Sequence, residues 1–126
     1  MQKLGRVALW VCQAALALMF LAAGGAKFGS PTWPRMFERW GYPDHFYLVV
    51  GAVEVVAGLA LLVPRLASPS SLVLIVIMIG AGATHVMHGE QHRLPQILVM
   101  SLLLGAVAYG RWSQALWRTI RREIRQ

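Results

Sequence analysis

Glu54 is the residue of this 126-residue chain whose type and place most invite chemistry. It stands eight positions after Phe46, inside an apolar run. A helix through that run would carry its carboxylate about 12 Å below a bilayer surface, at about 1.5 Å per residue. A lone carboxylate at that depth is costly, so it must be neutral, paired or hydrated. Lys27 closes the preceding apolar run, His85 and His88 close the next one, and Gln96 opens the last. If the runs alternate in direction, all of these fall on the same side of the membrane as Glu54. Lys27, Glu54, His85, His88 and Gln96 therefore form a candidate polar pocket for a ligand. In it Glu54 exchanges a proton or accepts a hydrogen bond, and His85 titrates nearby. The same side chains can instead tie three helices together through buried hydrogen bonds. The residues alone leave both readings open.

Helical spacing supports convergence. Gln13, Ala17, Phe20, Gly24 and Lys27 recur at steps of four and three, so they share a face on which Gly24 admits a close neighbour. Gly51 and Gly58 flank Glu54 in the same way, and Met78, Ala81, His85 and His88 form a third stripe beside the small run Gly80 to Thr84. His85, His88 and His92 with Glu90 have metal-ligand spacing, but no other run offers a matching set, so neither a metal nor a haem is assigned. No phosphate-binding loop, paired catalytic carboxylates or nucleophile–His–acid arrangement occurs. The single cysteine, Cys12, excludes an intramolecular disulfide and lies far from the other reactive groups. Catalysis by this chain alone is not expected.

The elements that must position these groups are membrane spans. The chain is 57% hydrophobic and 13% charged, against roughly a quarter charged in soluble domains. A chain of this length cannot hide so much apolar surface from water. Four apolar runs, Val7 to Ala26, Phe46 to Val63, Ser70 to Met87 and Pro95 to Gly110, each approach the ~20 residues that cross ~30 Å of hydrocarbon. The first run is longer than a signal-peptide core and is expected to stay as a span. The fold class expected is thus all-α, a polytopic bundle of four transmembrane helices. Residues 1–112 form the membrane domain and residues 113–126 a basic amphipathic tail.

The net charge of +7 does not point to nucleic acid, because the basic residues gather at the chain ends. Eight of the twelve Lys and Arg residues, among them Lys3, Arg6, Arg65 and Arg111, fall in the amino end, the second connection and the tail. Lys27, Arg35, Arg39 and Arg93 fall on the other side. This asymmetry places both termini in the cytoplasm. Trp10, Tyr109, Trp112 and Trp117 would then line the inner headgroup level, and Trp33, Trp40, Tyr42 and Tyr47 the outer one.

In the first connection Trp33, Met36, Phe37 and Trp40 recur at helical spacing, which predicts a short amphipathic helix. Ser30 or Thr32 caps its start and Gly41 suits its end. It reads as a short helix lying on the outer surface, and it can instead cap the bundle or dock a partner. Asp44 is the expected cap of the second span, and Pro64 with Ser68, Pro69, Ser70 and Ser71 the expected turn into the third. Trp112, Leu116, Ile120 and Ile124 set among arginines make the tail suited to an anionic membrane surface.

Four pieces, taken in order, carry a resemblance: Gly24-Gly25-Ala26-Lys27-Phe28; Trp33, Phe37 and Trp40-Gly41-Tyr42-Pro43; Gly51, Glu54, Gly58, Leu61-Leu62 and Pro64; and Met78, Gly80-Ala81 and His85. From about Val7 to Gly110 the chain resembles the DoxX family of small four-span bacterial membrane proteins. The resemblance implies a multi-pass protein of the bacterial inner membrane, linked through the family's name to a thiosulfate:quinone oxidoreductase and to membrane redox complexes. It marks Lys27, Glu54 and His85 as the polar positions of the shared motifs. The function expected is an accessory subunit of a quinone-linked redox system, with no cofactor in the chain itself and a quinone as ligand. Its partners would be the lipid bilayer, an oxidoreductase and a second copy of the chain, and not nucleic acid. The alternatives are a structural or assembly partner of another membrane protein and a small proton-coupled carrier using Glu54.

Overall fold

A computed structural model describes residues 2–125, except the side chains of Gln2 and of residues 116–119. The described chain is all helical: α1 Gln2–Gly29, α2 Thr32–Arg39, α3 Phe46–Ala60, α4 Pro64–Met87, α5 Leu94–Gly110 and α6 Leu116–Arg125. Single 3₁₀ turns at Gln91–Arg93 and Trp112–Gln114 precede α5 and α6. Lys3–Gly29, Pro64–Met87 and Gln91–Gly110 are long and apolar enough to cross a membrane, and α3 is a shorter apolar helix. Outward-facing Leu18, Val49, Val56, Val76, Ile79, Leu98 and Leu102 are well exposed. That is an apolar surface suited to lipid and not to water.

The helices form two close pairs, α1 with α3 and α4 with α5, and contacts between the pairs are sparser. Glycine explains the closeness of the first pair. A Cβ on Gly24 would lie 2.7 Å from the Gly51 carbonyl oxygen, and one on Gly51 would lie 2.9 Å from Lys27 Cβ. No side chain fits in that seam. The pairs join through a core of Leu16, Phe20, Leu61, Leu74, Met78, Met100, Leu104 and Val107. The end of the bundle that holds the α1 start, the α3–α4 turn and α6 is the basic end, and the opposite end, covered by α2, is the capped end.

Three boundaries differ from expectation. The second run stops as a helix at Ala60, and the turn into α4 occupies residues 61–63, so Pro64 opens a helix instead of a loop. Val63 is extended (φ −100°, ψ 115°), the conformation favoured before proline, and Pro64 at the first helical position gives up an N–H that would have no partner anyway. Ser68, Pro69, Ser70 and Ser71 lie inside α4, where Ser68 Oγ donates to the Ala108 carbonyl of α5 at 2.6 Å. A serine-rich stretch reads as a turn until a neighbouring helix supplies acceptors. Asp44 does not cap α3: His45 holds that position in a left-handed conformation (φ 65°) with no side-chain cap bond.

α2 caps the bundle. Met36 and Phe37 are buried, and the Phe37 ring lies 5.3–6.3 Å from those of Trp33, Trp40, Tyr42, Phe46 and Tyr47. Ser30 Oγ accepts from the Thr32 N–H at 3.3 Å. Gly41 (φ +87°) ends the helix: its N–H bonds the Glu38 carbonyl and that of Tyr42 bonds the Phe37 carbonyl. This is the Schellman pattern, which folds Tyr42 back onto Phe37. In the tail, Ile120 and Ile124 are exposed on a basic helix, while the side chains of Leu116, Trp117 and Arg118 lie outside the described residues.

Candidate functional site

Beneath α2, between the two helix pairs, lies a cavity of about 620 Å³. Its floor is Phe20, Met78 and Met100, its roof is Trp33, Phe37 and Trp40, and its polar wall carries Lys27, Glu54, Thr84, His85 and Gln96. Lys27 ends α1 and Glu54 sits mid-way along α3, opposite each other across the glycine seam. Their side chains meet at 2.7 Å and are almost wholly buried. The Lys27 ammonium also donates to the Ala23 carbonyl at 3.3 Å and lies 4.1 Å from the centre of the Trp33 ring. A carboxylate, a carbonyl and an aromatic face thus replace the hydration a buried ammonium loses.

A second polar group comes from the end of α4. Gly89 (φ +71°) terminates that helix with a second Schellman pattern, its N–H on the Val86 carbonyl and the Glu90 N–H on the His85 carbonyl at 2.7 Å. The geometry brings residue 90 back over residue 85, just as Gly41 brings Tyr42 over Phe37. Glu90 Oε1 therefore lies 3.0 Å from His85 Nδ1, and it accepts from the Trp40 indole N–H at 3.0 Å. Trp40 stands edge-to-face on the His85 ring at 5.4 Å. The hydrogen bond from His85 holds the Glu90 carboxyl below the usual carboxylate range, with help from the Trp40 indole and the charges of His85 and Arg39, against an opposing effect of desolvation. A third link joins the turn after α2 to α4. Thr84 Oγ1 donates its only proton to the Gly80 carbonyl at 2.8 Å, so Tyr42 is the donor in the Tyr42–Thr84 hydrogen bond.

Of the five residues singled out from sequence, Lys27, Glu54, His85 and Gln96 line this one cavity. His88 does not: it is exposed, its Nδ1 lying 2.8 Å from the Thr84 carbonyl oxygen. Among the described residues no hydrogen bond joins Glu54 to His85; Lys27 takes the first and Glu90 the second. Glu90, weighed from sequence only as part of a metal set, is the residue that ties the roof to α4. Trp33 and Trp40, read as headgroup markers, turn inward over the cavity. Glycine one residue before Glu90 and Tyr42 is the signal that could have placed both.

A different polar group is packed at the basic end. Arg111 Nε donates to Gln13 Oε1 at 2.9 Å, Gln13 Nε2 donates to the Leu61 carbonyl at 2.7 Å, and Arg111 also bonds Gln114 and lies over the Trp10 ring. These bonds close α1, α3 and α5 around one point. Arg111, grouped by its place in the sequence with the basic residues of the inner side, is buried here.

No curated protein and no solved structure matches the chain. A model of the DoxX-like family matches residues 11–110, a stretch that includes the glycine seam, the cap and every residue of the cavity. With its bundle of apolar helices, this integral membrane protein belongs to the DoxX-like family.

Proposed function

We propose that the chain is an accessory subunit of a membrane redox system and that its cavity holds the headgroup of a lipid-soluble quinone. The observation that carries this reading is the cavity itself. Its volume falls within the about 300–1,000 Å³ of small-molecule sites, and its walls are apolar with a few convergent polar groups. A quinone offers two carbonyl oxygens and its reduced form two hydroxyls. Lys27 can donate to the former, Glu54 can accept from the latter, and the roof tryptophans can cover the ring face. Electrons come from a partner oxidoreductase, and this chain supplies binding, orientation and a dry surround.

In this reading the chain crosses the bacterial inner membrane four times, with both termini cytoplasmic. The capped end lies toward the outer side. The eight Lys and Arg residues assigned to the inner side against four on the other support that orientation. A proton-coupled carrier is less well supported, because Leu16, Phe20, Leu74 and Leu104 close the bundle below the cavity with at most 1% exposure.

The test is gentle solubilisation of the native chain from its own membrane, followed by lipid extraction and identification of co-purifying proteins. Quinone at a substantial fraction of one per chain, together with an oxidoreductase, is expected. Recovery of neither overturns the proposal.

A further inference from the structure

The cavity has two flanks of unlike character. Its lining residues that also reach the outside fall into two groups. Met19 and Ala22 of α1 with Arg93 and Gln96 at the start of α5 form one. Phe46 of α3 with Val76 and Gly80 of α4 form the other. Gly80 and Gly82 are about 200° apart around α4. Gly82 faces α5, since a Cβ there would lie 3.9 Å from Ile97 and 4.0 Å from Leu94, so Gly80 looks away from α5 and toward the α3 side. The cavity therefore opens between α1 and α5 at a mixed mouth that carries Arg93 and Gln96, and between α3 and α4 at an apolar one.

At the apolar mouth a Cβ on Gly80 would meet nothing within 4 Å. Glycine in mid-helix weakens the helix, and here it leaves a passage where other positions on the outside of α4, such as Val76 and Ile79, carry branched side chains. At the other end of the slot, the Lys27 ammonium is held between Glu54, the Ala23 carbonyl and the face of Trp33, on the polar wall that a ligand oxygen would meet.

Resting on the quinone reading above, we infer that the quinone lies across the bundle: its ring sits against Lys27 and Glu54, and its hydrocarbon tail leaves sideways into the bilayer between α3 and α4, over Gly80. The α3–α4 mouth is the wholly apolar one: α2 roofs the capped end, and Arg93 and Gln96 border the α1–α5 mouth alongside Met19 and Ala22. Gly80 is then a specificity-determining position for the tail and not for the ring.

The test uses the full chain in phosphatidylcholine nanodiscs, titrated with decyl-benzoquinone and with the same ring lacking its tail. Quenching of tryptophan fluorescence reports binding. A Cβ at Gly80 meets nothing within 4 Å, so Gly80→Phe starts its side chain in open space at the mouth, and the loss of even two buried methylenes weakens the decyl probe by about tenfold. The tail-less probe should bind Gly80→Phe as it binds the native chain, which also shows that the variant is folded. Ile79→Phe, one residue away on the outward face, should change neither. Equal weakening of both probes, or of neither, by Gly80→Phe overturns the sideways tail while leaving the quinone site standing. Failure of the native chain to bind either probe removes the quinone site and the tail route with it.

Discussion

At the basic end Gln13, Arg111 and Ser68 are buried as completely as Lys27, Glu54 and His85 at the capped end, yet the two regions differ in what surrounds them. Around Gln13 the acceptors are the Leu61 carbonyl and the Arg111 guanidinium is its donor, and Ser68 reaches the Ala108 carbonyl, so the polar atoms bind helix to helix. Around Lys27 and Glu54 the polar atoms form one side of an open volume. A buried polar group is therefore not a site by virtue of burial. The glycine seam that lets α1 and α3 touch is matched by sparse contacts between the helix pairs, and that sparseness under α2 is what makes room for a ligand.

The comparison can be broken most sharply at the ion pair. Glu54→Gln leaves the Lys27 ammonium buried without its counter-charge and should destabilise the bundle by about 3–5 kcal/mol in a reversible unfolding assay. The double variant Lys27→Met with Glu54→Leu should recover most of that stability and still fail to bind quinone. A double variant as unstable as the single one would show that the pair is structural cement, like the basic end.

The next largest effect is expected there. Gln13→Ala leaves the Leu61 carbonyl and Arg111 Nε without partners, a loss of about 1–3 kcal/mol, while the quinone titration should not move. A changed quinone affinity would contradict the separation of the two regions. Tyr42→Phe removes the hydrogen bond to Thr84 that helps fasten the roof, at about 0.5–1.5 kcal/mol, and faster hydrogen exchange of α2 amides with little change elsewhere should report it.

The smallest effect concerns pH. The folded Glu90 carboxyl titrates below its unfolded value of about 4.3, so its contribution is present above that pH and is lost as pH falls through the lower folded value. Trp40 emission in the native chain should shift in that acid window, and Glu90→Gln should flatten the shift.

The helical bundle and its lipid solvent were legible in the sequence because apolar composition and run length bear directly on both. Lys27, Glu54 and His85 were legible because an ionisable residue at depth is conspicuous. Glu90, Trp40 and Tyr42 were not, since their places depend on how two helices terminate, and a glycine in the left-handed region turns the chain by an amount that spacing does not show. The serines of α4 misled for a related reason: the carbonyl that Ser68 satisfies belongs to residue 108, 40 positions away.

The central claim, that ligand chemistry belongs to the capped end, is tested most directly by its tryptophans. Trp33 and Trp40 border the cavity, and Trp10 lies beside Arg111 at the basic end. In a chain retaining only Trp33 and Trp40, tail-less benzoquinone should quench fluorescence along a saturating curve. In a chain retaining only Trp10, quenching should rise linearly with concentration. Saturation at Trp10, or linear quenching at Trp33 and Trp40, would contradict the account.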